Sequence, residues 1–343
     1  MSRSWVSVDS SVTVRARSDG GTRTNTRRSP ASRRRRAPGR SGRPGLPTRR
    51  GGRGAGAARL LADRRHELRG DVVLMFQPGE EMHDGAALMI AEGVLDAAGR
   101  RADAAYAIHA FAATVPGGHV VSRRGAMLAA ADGFEVVVER RGGHGSAPQH
   151  ALDPVPVACE IVMALQTMTT RRFDVFDPVV VTVGSLQAGD APNVIPEDAR
   201  LVASVRSWST EARARFRELA GQLARGIAQA HGMTAHVSYL DGYPVTHTSA
   251  DETDFAGTVV ADVLGEDTFS LLPQPFSASE DFSRVLQSVP GTFLGLGATP
   301  AGLDPASAPF NHSAHAAYDD AVLPLGAAIP TELAIRRLAT LPS

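Results

Sequence analysis

The chain contains no lysine: the 36 Lys+Arg positions among its 343 residues are all arginine. It has one cysteine, Cys159, which excludes a disulfide framework within the chain and any multi-cysteine zinc or iron–sulfur cluster. Aromatics make up only 5% of residues. No run approaches the roughly 18 consecutive apolar residues of a membrane span, so no membrane partner is expected. The N-terminus lacks the apolar core of a secretory signal, and a cytoplasmic location is the default expectation. What remains is a chain with 43% hydrophobic residues and zero formal net charge, suited to a soluble protein of two domains or one large one.

The zero charge is a cancellation. Residues 1–55 hold fifteen of the arginines, including Arg33 to Arg36, against two acids, Asp9 and Asp19. Eleven of these 55 residues are hydrophobic. Such a composition cannot bury enough apolar surface to offset its ordering entropy, so residues 1–55 are expected to be disordered. Three readings of this tail stand side by side. It could be a nucleic-acid-binding arm, although aromatics for base stacking are missing beyond Trp5, which makes a nucleic-acid partner the weaker reading. It could be a solvated extension. It could also be an out-of-frame reading of GC-rich DNA.

From residue 56 the sequence becomes orderly. Residues 56–68 have helical apolar spacing, and Asp71 to Phe76 is a short apolar run suited to a buried parallel strand. It ends in Gln77-Pro78-Gly79-Glu80-Glu81, at the strand's C-terminal end, where ligands bind in open α/β sheets. A helix over 85–95 and a strand over 104–111 follow, and this alternation predicts a doubly wound, mainly parallel α/β sheet. A different style sets in after about residue 117: strands at 120–121, 134–139, 179–186, 201–208 and 235–240, with helices over 151–170 and 210–231. That order suits a compact α+β domain. The first style returns after about 245, with helices over 251–264 and 279–288, a strand over 292–296, and a last helix over 319–340 that Pro330 should bend or shorten. The domain expectation is a disordered segment at 1–55, a catalytic domain at 56–118 and 245–343, and an inserted α+β domain at 119–244.

Several polar residues could carry chemistry. Glu80 and Glu81 are either two solvated loop acids or a metal ligand beside a general base. His109 ends the next strand, so acid and imidazole sit on successive strand ends. The Gly-rich stretch 142–148 presents His144, without the spacing or lysine of a phosphate loop. Asn193 and Arg206 are further polar positions in the inserted domain. Ser279-Glu280-Asp281 reads as a cap with acids in a first helical turn. Asn311-His312-Ser313 precedes the last helix, and His312 with His315 does not form an HExxH zinc motif. Cys159, on a helix, reads as core packing.

Taken together, FQPGEE at 76–81, AIHAF at 107–111, ADGFEVVVERRGGHGSAP at 131–148, NVIPEDARL at 193–201, SASEDF at 277–282 and NHSAHAAYDDAVLPLGAA at 311–328 resemble the aminoacylase/hippurate-hydrolase family of dinuclear metallo-amidohydrolases. The resemblance covers about residues 56–340. It implies a catalytic α/β domain with an inserted lid domain that dimerises, giving a homodimer that cleaves the amide bond of N-acyl amino acids. It implies two divalent metal ions (Zn, Mn, Co or Ni). It implies that Glu80 is the general base toward metal-activated water, that Glu81, His109 and His312 are metal ligands, and that His144 is a lid histidine polarising the scissile carbonyl, often in the partner's site. Asn193 and Arg206 would hold substrate.

The chain departs from the family upstream. The family carries two more ligands in a Cys-Gly-His-Asp segment ahead of the helix at residue 56, whereas here no cysteine precedes Cys159 and no histidine precedes His66. Leu46-Pro47-Thr48-Arg49, read one base later, can give Cys-x-His-Asp with suitable codons. This favours the out-of-frame reading of the tail. It also leaves an alternative to the active enzyme: a catalytically inactive family member that retains only dimerisation.

Overall fold

The computed structural model describes residues 8–16, 49–81 and 83–340. In chain order the strands and helices are β1 (Val8–Ala16), α1 (Arg49–Asp63), β2 (Gly70–Pro78), α2 (Gly85–Ala91), β3 (Ala104–Phe111), β4 (Val120–Ser122), β5 (Gly125–Leu128), β6 (Ala130–Glu139) and β7 (Gly143–His144). Then come α3 (Pro154–Arg172), β8 (Val179–Gln187), β9 (Val194–Ile195), β10 (Asp198–Ser207), α4 (Thr210–Ala230), β11 (Thr234–Leu240) and β12 (Thr246–Thr248). The chain closes with α5 (Ala250–Leu264), β13 (Phe269–Leu271), α6 (Ser283–Leu286), β14 (Gly291–Gly297) and α7 (Leu323–Thr340). No helix among the described residues is long and apolar enough to cross a membrane.

Six strands form the larger sheet in the order β13-β4-β14-β3-β1-β2. Within it β3 and β14 pair in parallel, and β2 shares their direction, because β1 is antiparallel to both β2 and β3. The short strands β4 and β13 run with β1. Every residue of β3 is buried, as expected of an apolar run with helices on both faces. Its alternate residues Ala104, Tyr106, Ile108 and Ala110 join a core with α1, α5 and α7. Ala105 and Ala107 face the opposite core, with Phe282 and Val285 near α6 and Ala86 of α2. This is a helix–sheet–helix α/β domain.

The second sheet has the order β11-β6-β10-β8, all antiparallel, with α3 and α4 over one face. β10 alternates buried and accessible residues, the pattern of a sheet with one covered face. Asp153 and Ser209 cap the two helices through Val155 N–H and Ala212 N–H, at 3.0 and 2.9 Å. The sheet of this α+β unit draws on residues 130–240. β4, three consecutive buried residues, belongs to the larger sheet, and the entry crossing falls near Ala130 rather than 119.

Four further expectations need correction. The tail is not uniformly unstructured: Val8–Ala16 pairs along its length with β2, from Val8 opposite Pro78 to Ala16 opposite Gly70. Ladder bonds use only main-chain atoms, and this stretch of the tail has neither proline nor glycine and contains Val8, Val12, Thr13 and Val14. Residues 49–55 lie in α1, while Arg33 to Arg36 lie outside the described residues. The helix expected over 279–288 shrinks to Ser283–Leu286, because Asp281 is drawn into the core and Pro290 follows. Pro330 does not shorten α7, whose packing around Ile329 and Leu333 outweighs one missing backbone bond. Cys159 is exposed, on the face of α3 turned away from the sheet, so it is not core packing.

Candidate active site

Glu80 and Glu81 follow β2 at its C-terminal end. Glu80 is buried, whereas Glu81 is partly accessible. The loop is closed by Gly85, where a Cβ would stand 1.7 Å from the Pro78 carbonyl oxygen, so no other residue fits. Glu81 Oε1 lies 3.5 Å from His312 Nδ1, bringing together residues 231 positions apart in the chain. His312 has φ 71°, a left-handed conformation uncommon outside glycine and often found at functional sites.

His109 is 9% exposed and lies among aromatic rings, with centroids 5.4 Å from Phe111 and 6.2 Å from Phe293. Its Nδ1 is 2.9 Å from the Ala110 carbonyl. Donation there fixes the tautomer and places the lone pair on Nε2, the arrangement of a ligand imidazole. Asn311 connects the two histidines. Its Nδ2 donates to the same Ala110 carbonyl at 2.9 Å, and its Oδ1 accepts from Ala112 N–H at 2.8 Å. The loop carrying His312 is thereby fastened to the end of the strand carrying His109.

The remaining candidates lie elsewhere. His144 is exposed at the far end of the inserted domain, in β7, which pairs with β9. Ser146 Oγ and its N–H approach His144 Nδ1 at 2.8 and 3.2 Å. Asn193 is its neighbour: Gly145 N–H donates to the Asn193 carbonyl at 2.8 Å. A groove of about 590 Å³ runs beside this loop, lined by Gly145, Pro148, Asp153, Asp190 and Val194. Arg206 sits at the opposite end, beside Ala131. Burial pushes its guanidinium pKa down, against the pull of Asp132. The structure thus unites Glu81 with His312, and His144 with Asn193, but separates the second pair from Arg206 by roughly 26 Å of β6, at about 3.3 Å per residue.

Sequence reasoning missed the supports of the site. Asp281 is completely buried and accepts from the Gln77 side chain and from Ala86 N–H, at 2.9 Å for the latter. It pins both ends of the Glu80–Glu81 loop, so it is not a helix cap. Arg284 forks onto Asp84, at 2.8 and 3.2 Å, and Tyr243 donates its hydroxyl to the Glu80 carbonyl. Only the motif at 277–282 drew attention to this region.

Carboxylate and imidazole donors fit a divalent cation in kind. They do not fit it in number: among the described residues no three His, Cys, Asp or Glu side chains converge to hold a metal ion.

The pattern of peptidase family M20/M25/M40 matches residues 51–336, and the chain belongs to this family. It is 36% identical over 289 residues to the IAA-amino acid hydrolase ILR1-like 2 of Arabidopsis thaliana, covering 82% of this chain and 63% of that protein. It is 32% identical to the N-acetylcysteine deacetylase of Bacillus subtilis, covering 71% of this chain and 62% of that enzyme. The chain therefore spans somewhat under two thirds of the length of these two relatives. Among solved structures it resembles the Bacillus subtilis YXEP protein, a dinuclear metal binding peptidase of the M20 family, with a TM-score of 0.67 and 27% identity over 83% of this chain and 70% of that one.

Proposed function

We propose that the chain is a metal-dependent amidohydrolase of N-acyl amino acids. The observation that carries this reading is the loop after β2, where buried Glu80 stands next to Glu81 and Glu81 meets His312. Of the three proposed ligands, Glu81 and His312 lie together while His109 does not converge on them, so a divalent ion, which would supply Lewis-acid polarisation and acidify water, would need a donor beyond this pair. Glu80 takes the proton of the attacking water and returns it to the leaving amine as the amide bond breaks. The names of the relatives, an indole-acetyl-amino-acid hydrolase and an acetylcysteine deacetylase, support an acylated amino acid as substrate.

The remote position of His144 and Asn193 supports a homodimer. In this reading they complete the partner's site, His144 polarising the carbonyl, while Arg206 binds substrate from the hinge side. The edge strand β8 supplies the contact, since Val180 and Leu186 are 45% and 44% exposed along it. Val180→Arg with Leu186→Arg is expected to convert a dimer to a monomer in sedimentation velocity; an unchanged sedimentation coefficient refutes this contact.

That no third donor converges on Glu81 and His312 among the described residues favours a second reading, a family member that binds no metal productively and retains dimerisation alone. One assay separates the two. The purified chain is given N-acetyl and indole-acetyl amino acids with Zn, Mn, Co or Ni, or with a chelator, and free amino acid is measured. Under the first reading release depends on metal, and Glu80→Gln lowers kcat by about 10²–10⁴-fold. No release with any metal supports the second.

A further inference from the structure

The Glu80–Glu81 loop is gripped from two directions. Asp281 holds it from within the catalytic domain. Tyr243 and Arg284 connect it instead to the place where the chain passes into and out of the inserted domain. The two crossing segments, at 130–132 and 241–243, are locked together. Ala131 N–H donates to the Tyr243 carbonyl at 3.0 Å, and Gly242 N–H donates to Asp132 Oδ1 at 3.1 Å. At Gly242 the segments are so close that a Cβ would lie 1.8 Å from the Ala131 carbonyl oxygen.

This crossing is tied to both domains. Arg213, from the first turns of α4, forks onto Asp132 at 2.6 and 2.7 Å, and the Asp132 side chain is only 6% exposed. On the other side Arg284 donates to the Gly242 carbonyl at 3.0 Å while its fork holds Asp84. Tyr243 then reaches past the crossing to the Glu80 main-chain carbonyl. Any rotation of the inserted domain about this crossing carries Tyr243 with it, and Tyr243 bears on the backbone of the residue proposed as base.

We propose that Tyr243 is a positioning residue that couples the angle of the inserted domain to the placement of Glu80. The inference rests on the reading of Glu80 as general base. Tyr243 touches no reacting atom; it fixes the main chain from which the carboxylate projects. Displacement of such a group by about 1 Å can cost about 10²-fold in rate. Arg284 backs the coupling by joining Gly242 to Asp84.

Tyr243→Phe removes the donor and keeps the ring. The expected result is a kcat lower by about 10–100-fold with KM within about two-fold, and faster amide hydrogen exchange in residues 77–81. In a Glu80→Gln background the same substitution is expected to cause no further loss of residual rate, because its effect passes through the Glu80 carboxylate. A further loss there, or a wild-type kcat in Tyr243→Phe, overturns the proposal. If the wild-type chain releases no amino acid with any metal, the functional reading fails, and exchange alone decides the coupling. Tyr243→Phe and Arg284→Gln should then each speed exchange at 77–81 and at 130–132 together. Exchange confined to the neighbourhood of the substituted residue overturns it.

Discussion

Glu252→Ala is expected to destabilise the catalytic domain by about 3–5 kcal/mol, the range for breaking a buried ion pair from one side. Glu252 lies in the first turn of α5 and is 4% exposed. It accepts the fork of Arg337 from α7, at 2.7 and 3.1 Å, and the hydroxyl of Tyr106 from β3. Three elements therefore meet on one carboxylate. The alanine variant leaves a guanidinium and a phenol without their shared acceptor. Denaturant unfolding followed by tryptophan fluorescence and circular dichroism would measure the loss, and a change under about 1 kcal/mol would show that water or a neighbour replaces the carboxylate.

The same cluster carries a pH signature. Burial, and then the adjacent Glu252 charge, hold the Tyr106 phenol well above its ordinary pKa. A folded-state pKa above the unfolded value means the native state keeps its proton longer. Stability from this group is complete below the unfolded value near pH 10 and declines as pH rises beyond it. Tyr106→Phe should therefore flatten the alkaline arm of the stability profile, and an unaltered arm would assign that decline to other groups.

Asp281→Ala is expected to cost about 2–6 kcal/mol, because it leaves the buried Gln77 amide and the Ala86 N–H without acceptors at about 1–3 kcal/mol each. Its effect differs in kind from that of Glu252. Asp281 spans the two ends of the loop bearing Glu80 and Glu81, so its loss should loosen the candidate site before the domain unfolds. Hydrogen exchange in residues 77–81 should rise well below the denaturant midpoint. Asp281→Asn, which keeps one acceptor oxygen, should fall between the two. Loss of stability without local exchange would mean that Asp281 supports the core alone.

The parts of the fold that could be read from the sequence are those whose signal is local. The runs at 71–76, 104–111 and 292–296 are apolar and bounded, and they form β2, β3 and β14 within two residues at either end. Glu81 and His312, one after a strand end and the other in a loop before a helix, do meet, at 3.5 Å. What escaped was non-local. Nothing around Tyr243 or Arg284 suggests that each reaches a loop some 160 to 200 residues earlier. Asp281 looked like a first-turn acid because the stretch Ser279-Glu280-Asp281 has the composition of a cap, and only the tertiary pairing with Gln77 shows otherwise. Low apolar content predicted disorder for Val8–Ala16. That argument concerns side chains, whereas a strand seated between two others is held by its backbone.

The interior seat of β1 also bears on how the sheet can be assembled as the protein is made. Its neighbour β2 begins at Gly70, and its other neighbour, β3, begins at Ala104. At synthesis rates of about 5–20 residues per second, the second neighbour follows the first strand by on the order of 5–20 s. Until then β2 and β3 cannot substitute for one another, since they stand two strand spacings apart, about 9.6 Å. The nascent chain thus carries the β1 segment for seconds before the ribosome delivers the residues that pair with its two sides.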